Sequence, residues 1–423
     1  MYVNFYHMTL ALVFATTIDY RFFAGISGIP SITLTEIIAY FMVMLYIGRA
    51  LFYQPLLKEE FALQYRANRP LFWYFSWAIA AGFAGMAFRS SPEVLKVFKN
   101  LLPSFIVYYF VTLYCKDTIR VNGLIITYLT GIFVNILLGL SQYVSDWPRP
   151  VLLTEGASEK MDFAGNVISK MATGLFNHPN GLAMLLLPAT ILLVAMLVTE
   201  KDKSFIRSFL LSTYLILLIV VLKATYAKGV FVWTIIGSTL LFLPQRLARW
   251  RFAVGLFTLV AGIAGITYYS FHQAVTEGGA FGTILTRMML WTTALEVIRT
   301  DNYIKVFGNG FKAMDIASAE MVNWQYPNAH NGILNQILFF GIPAFILYIT
   351  MYVKALKDIA GSLLQGGDNT KTLCLFIFSA LIALWGEYFF EPASEGVVLQ
   401  SHLFLLYALT RVLSQPKALD IYA

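Results

Sequence analysis

Asn177-His-Pro-Asn-Gly-Leu-Ala-Met-Leu-Leu-Leu-Pro-Ala-Thr-Ile-Leu-Leu-Val-Ala-Met-Leu-Val198 runs for 22 residues without one Asp, Glu, Lys or Arg. A helix needs about 20 apolar residues to cross the roughly 30 Å hydrocarbon layer of a bilayer, so the stretch reads as a transmembrane helix. Similar spans lie near 4–19, 33–53, 70–88, 97–115, 121–143, 208–223, 228–244, 252–271, 332–353, 372–390 and 397–414, making twelve. With 58% hydrophobic, 16% aromatic and 13% charged residues over 423 positions, the chain has too few charges to cover a soluble body, which normally carries about 25%. The expected fold is an all-α integral membrane protein of about twelve transmembrane helices.

Charge in the short connections sets the orientation. Lys58, Arg66 and Arg69; Lys116 and Arg120; Lys201, Lys203 and Arg207; Arg246, Arg249 and Arg251; and Lys354, Lys357 and Lys371 occupy alternate loops, with Arg411 and Lys417 on the same side. The positive-inside rule places these loops, and both termini, in the cytoplasm. The net charge of +7 is thereby a topological signal, not a sign of nucleic-acid binding. The first apolar run lacks a positively charged leader and a small-residue cleavage site close behind it, so it reads as a retained helix. Cys115 and Cys374 lie in or beside apolar segments and read as packing residues, with neither a disulfide framework nor a thiolate metal site.

One interruption stands out, the segment 272–331, which ends Tyr326-Pro-Asn-Ala-His-Asn-Gly332 before the next apolar span. It divides the chain into helices in 1–271, an outward loop or cap at 272–331, and helices plus a tail in 332–423. A second sizeable outward connection covers 144–176. Loops longer than about 15 residues are usually functional or disordered, and Thr286–Thr300 looks helical, with Leu285, Met288, Met289, Leu295 and Ile298 roughly on one apolar stripe. An ordered cap at the membrane surface is expected.

Outward cations are the next anomaly, since Lys and Arg favour the cytoplasmic side. Arg89 follows the third span, Lys223 and Lys228 lie in the turn between the seventh and eighth, and Arg287, Arg299, Lys305 and Lys312 populate the long loop. Snorkelling to lipid head groups accounts for Arg299, Lys305 and Lys312, whereas Lys228 and Arg287 fall in patterned surroundings.

Those surroundings carry a resemblance. Phe176-Asn-His-Pro-Asn180-Gly at a helix start, Thr225-Tyr-Ala-Lys228-Gly229 at a tight turn, Arg287-Met-Met-Leu-Trp291 followed by Phe307-Gly-Asn-Gly310-Phe, and Asn328-Ala-His330-Asn331 before a helix resemble the ordered signature of the O-antigen ligase and polymerase superfamily. His330-Asn331, followed by nine residues and Gly341, is similar to the motif of the ligases. The likeness covers about the last 250 residues. It implies a C-type membrane glycosyltransferase in the bacterial inner membrane, inverting and metal-independent, working at the periplasmic face without a cofactor. The implied donor is polysaccharide on undecaprenyl pyrophosphate, and the implied acceptor a sugar hydroxyl of lipid A-core. Where the family usually has Ser-Arg-Gly, this chain has Ala227-Lys228-Gly229, keeping the charge but losing the planar fork suited to phosphate. The family's second small or hydroxylated position after the motif glycine is Ala344.

The residues also make chemical sense by themselves. Joining two sugars needs an activated hydroxyl, and a base neutral near pH 7 suits that task; His330 is the candidate. Asn331 either orients it, bonds a sugar or caps a helix. A lipid pyrophosphate leaving group needs its charge neutralised, and no Asp-x-Asp pair in the outward loops offers a metal site, so Lys228, Arg287 and Arg89 are the candidate phosphate contacts. His178 reads equally well as part of a helix start, and His7, His272 and His402 as interfacial or packing residues. Glu387, Glu391 and Glu395 flank the last outward turn and read as solvated or paired. An O-antigen polymerase is the alternative within the superfamily, disfavoured by a single large outward loop. A transporter would carry ionisable residues near the bilayer midplane, whereas charges here cluster at span ends.

Overall fold

The computed structural model describes residues 4–19, 21–22, 32–52, 60–62, 64–66, 68–145, 159–161, 167–176, 178–199, 204–243, 250–276, 281–314, 329–365, 368–391 and 397–414. The long helices are α1 (Phe5–Ala15), α2 (Leu34–Phe52), α3 (Arg69–Arg89), α4 (Glu93–Tyr114), α5 (Thr118–Ser145), α6 (Pro179–Thr199) and α7 (Phe205–Ala224). After them come α8 (Lys228–Leu240), α9 (Arg251–Thr276), α10 (Phe281–Thr300), α11 (Asn302–Phe307), α12 (Gly332–Gln365), α13 (Asp368–Phe390) and α14 (Val397–Ser414). Two small antiparallel pairs accompany them, β1 (Arg21–Phe22) with β2 (Ile32–Thr33) and β3 (Glu159–Met161) with β4 (Val167–Lys170).

Among the described residues nine helices are long and apolar enough to cross a membrane. The other three predicted spans fall on helices of 11, 19 and 13 residues, α1, α2 and α8. At about 1.5 Å per residue, α1 and α8 each cover less than the hydrocarbon thickness. Elsewhere the apolar boundaries under-read the helices: α9 continues to Thr276, five residues past the end of the expected apolar span at 271, because a helix can extend past its apolar run.

Packing separates a centre from a periphery. In α13 83% of the apolar window is buried, against 17% in α7 and α9. The last two turn Phe209, Leu210, Ile216, Phe257 and Val260 outward, the apolar exterior expected of a lipid-facing surface. Helix α13 is flanked by α6, α8, α9, α12 and α14, while α14 packs along α4 and α12 along α3. The free cysteines Cys115 and Cys374 are buried packing residues, as their sequence surroundings imply.

Helix α12 is two helices joined at Gly341, where φ is 83°. A side chain there would meet the Val306 carbonyl, with a Cβ only 2.0 Å from its oxygen, so the backbone of α11 can approach only a glycine. The bend leaves the Phe340 carbonyl free to accept from Trp77 Nε1 at 3.0 Å, and the Leu338 carbonyl accepts from Asn309 N–H at 2.8 Å. Helix α11 and the residues after it are therefore seated against α12 and α3.

The apolar stripe of α10 differs from the expected one. Leu290, Thr293 and Ala294 face inward, whereas Leu295 is 56% exposed. The helix starts at Phe281, and its phase follows the two residues that dock on α13, described next.

Candidate functional site

Helix α13 ends in Glu387-Tyr-Phe-Phe-Glu391, whose last turn continues through a 2.8 Å bond from Glu391 N–H to the Glu387 carbonyl. The i, i+4 spacing puts both carboxyl groups on one face. Glu391 gathers groups from three other segments. Its Oε1 accepts from Arg287 Nη2 of α10 and, at 2.9 Å, from Asn180 Nδ2 in the first turn of α6. Its Oε2 lies 3.9 Å from His330 Nδ1. Burial would raise the Glu391 carboxyl, but His330 and Arg287 outweigh it and hold the group below the ordinary carboxylate range.

Each partner is fixed locally. Arg287 and Trp291 are four residues apart on one face of α10, and Trp291 packs on Phe389 and Phe390 with ring centroids 5.4 and 6.2 Å away. This aromatic anchor sets the helix phase that delivers the guanidinium to Glu391. His330 has φ 46°, a left-handed conformation that non-glycine residues adopt uncommonly, histidine more readily than most. It stands directly before the α12 cap: Asn331 Oδ1 accepts from Ile333 and Leu334 N–H, both at 3.0 Å. The capping role of Asn331 is thus realised, and it leaves His330 32% exposed at the helix entrance.

The start of α6 is pinned from behind. Gln142 Oε1 accepts from Thr173 and Gly174 N–H at 2.9 and 2.8 Å, and Ala172 N–H donates to the Ala224 carbonyl at 3.0 Å. The returning chain thereby presents His178, whose Nδ1 accepts from Asn180 N–H at 3.1 Å. Burial lowers the His178 imidazole below its ordinary value, with the Glu391 charge pulling the other way. A neutral ring accepting at Nδ1 carries its proton on Nε2.

Two glycines close the arrangement. Gly332 lies so near the Tyr388 ring that a Cβ would be 2.3 Å from it, and a Cβ on Gly229 would be 2.7 Å from Glu387 Oε2. Glu387 is buried, and its Oε2 has no hydrogen-bond partner among the described residues. Beneath it, Tyr388 accepts from Gln336 Nε2 at 2.8 Å, and Gln336 accepts from Tyr74 at 2.7 Å.

Of the sequence-chosen residues, His330 and Arg287 meet at Glu391, while Asn331 caps α12 beside the first. Lys228 is exposed at the start of α8, one residue before the glycine that faces Glu387, and makes no ion pair among the described residues. Arg89 is elsewhere engaged: its guanidinium bonds both Asp301 oxygens at 3.0 and 2.8 Å and lies 4.6 Å from the Tyr303 ring centre. Arg299 pairs with Glu296 and Lys305 with Asn302, while the Lys312 side chain, Asn177, Asn328 and Glu395 lie outside the described residues. His402 is a packing residue, bonded through Nδ1 to the Val398 carbonyl at 2.8 Å.

Sequence reasoning missed Glu391 as the common partner. The available signal was the acidic i, i+4 pair at the end of an apolar span, in a sequence with cations at the ends of other spans. No family model matches this chain, and no curated protein matches it.

Proposed function

We propose that the chain is a metal-independent, inverting glycosyltransferase of the O-antigen ligase type, with twelve spans, cytoplasmic termini and its site at the periplasmic face of a bacterial inner membrane. It would move polysaccharide from undecaprenyl pyrophosphate to a sugar hydroxyl of lipid A-core. The observation that carries the reading is the convergence on α13 of the four sequence fragments behind the resemblance. The segments containing Asn180, Lys228-Gly229, Arg287 and His330 are far apart in the chain, yet all reach the Glu387–Glu391 turn.

In this reading His330 removes the acceptor hydroxyl proton as the oxygen attacks the anomeric carbon. The bond from that carbon to the pyrophosphate oxygen breaks, and undecaprenyl pyrophosphate leaves with the electron pair. Glu391 favours the imidazolium so formed, as a carboxylate beside histidine does in other acid–base sites. Arg287 and Lys228 offer fixed positive charge to the leaving group. Glu391 is a positioning residue here, since its Oε1 is already engaged by Arg287 and Asn180 and its Oε2 faces His330.

The test is transfer by the full-length protein in liposomes from a synthetic undecaprenyl-pyrophosphate oligosaccharide to purified lipid A-core, with and without EDTA. Glycosylated core in both conditions is expected. Growth of one lipid-linked chain on another, without core modification, would replace the ligase by the polymerase. Activity lost to EDTA and restored by Mg²⁺ would overturn the metal-free mechanism.

A further inference from the structure

The end of the bundle opposite Glu391 holds a small polar cleft, half open to its surroundings and lined by Asn68, Lys354, Asp358, Tyr407, Thr410 and Arg411 among others. Three helices fix its position. Lys354 lies 22 residues beyond the start of α12, Arg411 is in the last turn of α14, and Asn68 precedes α3, whose far end carries Arg89. At about 1.5 Å per residue, the α12 separation is on the order of 30 Å, a membrane thickness from His330.

Its polar groups are incompletely paired. Lys354 is neutralised by Asp358 one turn away. Arg411 has no ion-pair partner among the described residues, and its Nε is buried without a hydrogen-bond acceptor there. Asn68 is 9% exposed; its Nδ2 donates to Tyr108 at 3.0 Å, while its Oδ1 is buried with no donor among the described residues. A basic residue in the last turn of a helix is favoured by the helix dipole. That explains the charge of Arg411 but not the unfilled Nε, nor the unfilled amide oxygen in the same cleft. Buried polar groups without partners are costly and uncommon.

Two unfilled groups face the cleft: the Nε–H of a guanidinium, which needs an acceptor and carries positive charge, and an amide oxygen, which needs an N–H or O–H. A phosphate ester bearing a hydroxyl or ammonium substituent supplies both. We infer that this cleft binds such an ester, with its phosphate on Arg411 and its donor group on Asn68 Oδ1. A membrane-edge position makes a glycerophospholipid head group the expected source. The inference is independent of the glycosyl-transfer reading, since no residue is shared.

The experiment uses delipidated, full-length protein in detergent. Binding is measured for short-chain phosphatidylglycerol, for diacylglycerol of the same chains and for glycerol 3-phosphate. Phosphatidylglycerol should bind at least tenfold more tightly than diacylglycerol, and Arg411→Gln should remove that preference, as expected when a charge-assisted contact is lost. Asn68→Ala should weaken binding less, and Arg299→Gln, in an exposed pair, should leave it unchanged. Arg411→Lys, which keeps the charge, guards against misfolding and should retain part of the preference. Glycerol 3-phosphate binding with the same dependence on Arg411 would support the site with a soluble ester as ligand. Equal binding of diacylglycerol and phosphatidylglycerol, or a folded Arg411→Gln protein that binds like the parent, would overturn the proposal.

Discussion

Arg287 and Arg89 both end on an acidic side chain, yet the two regions they mark are built differently. The Arg89–Asp301 pair is 40% and 28% exposed and local to the cap, where Asp301 also caps α11 through the N–H groups of Tyr303 and Ile304. The Arg287–Glu391 pair is 23% and 13% exposed and shares its carboxylate with Asn180, beside His330. One pair fastens an element to its neighbour. The other joins α10 to the ends of α6 and α13 beside the start of α12, with one carboxylate shared among them.

The sharpest way to break this contrast is at its chemical centre. His330→Ala should lower the transfer rate by roughly 10²- to 10⁴-fold, the usual contribution of a general base, with membrane insertion unchanged because the side chain stands at a helix entrance and not in the core. Rate of core glycosylation at equal protein level is the measurement, and activity within a few-fold of the parent removes His330 from the mechanism.

Next come the cations. Arg287→Met should cost about ten- to hundredfold, as loss of a charge-assisted contact of about 1.5 to 3 kcal/mol implies if it strengthens in the transition state. Lys228→Met should behave similarly, and Lys228→Arg should keep or raise the rate by restoring a planar fork. If both cations bind one phosphate, the double variant loses less than the sum of the two. Initial rates at saturating acceptor test all four, and normal rates for both Met variants would return these residues to interfacial snorkelling.

These residues also show what was legible. Nine of the twelve expected spans could be read among the described residues because a bilayer demands long apolar runs, a constraint that acts on contiguous sequence. His330 and Arg287, which the structure brings together at Glu391, stood out because an ionisable group at a span boundary is conspicuous. The role of Glu391 could not be read, because it arises from where α6, α10 and α12 converge, and an acidic residue at a helix end looks the same when solvated. The break at Gly341 was hidden for a similar reason: a glycine inside an apolar run gives no sign that the Val306 backbone lies against it.

Protonation gives a gentler perturbation of the same region. Glu391 has a depressed folded value, so it contributes stability above its unfolded value near 4.5, and that contribution is lost as pH falls through the folded value. His178 is also lowered, from 6.5; the unfolded chain then binds more protons below that pH, and native stability again falls as pH drops. Thermal unfolding in detergent should therefore show a melting temperature that declines from pH 7 to pH 4. Glu391→Gln should flatten the lower part of the decline and His178→Gln the upper part, while a profile identical to the parent in both would discard the assignment.

The smallest effect is expected at the other arginine. Arg89 was an attractive phosphate contact in the sequence because it follows a span on the outward side, but its guanidinium is held by Asp301 and lies against Tyr303. An ion pair this exposed contributes about 0 to 1 kcal/mol, and the ring contact adds about 0.5 kcal/mol at such a site. Arg89→Gln should consequently lower the melting temperature by a few degrees at most and leave the transfer rate within about threefold of the parent. A fall comparable to that of Arg287→Met, without a matching loss of stability, would mean that Arg89 leaves Asp301 when the donor binds, and the cap would then belong to the site and not only to its support.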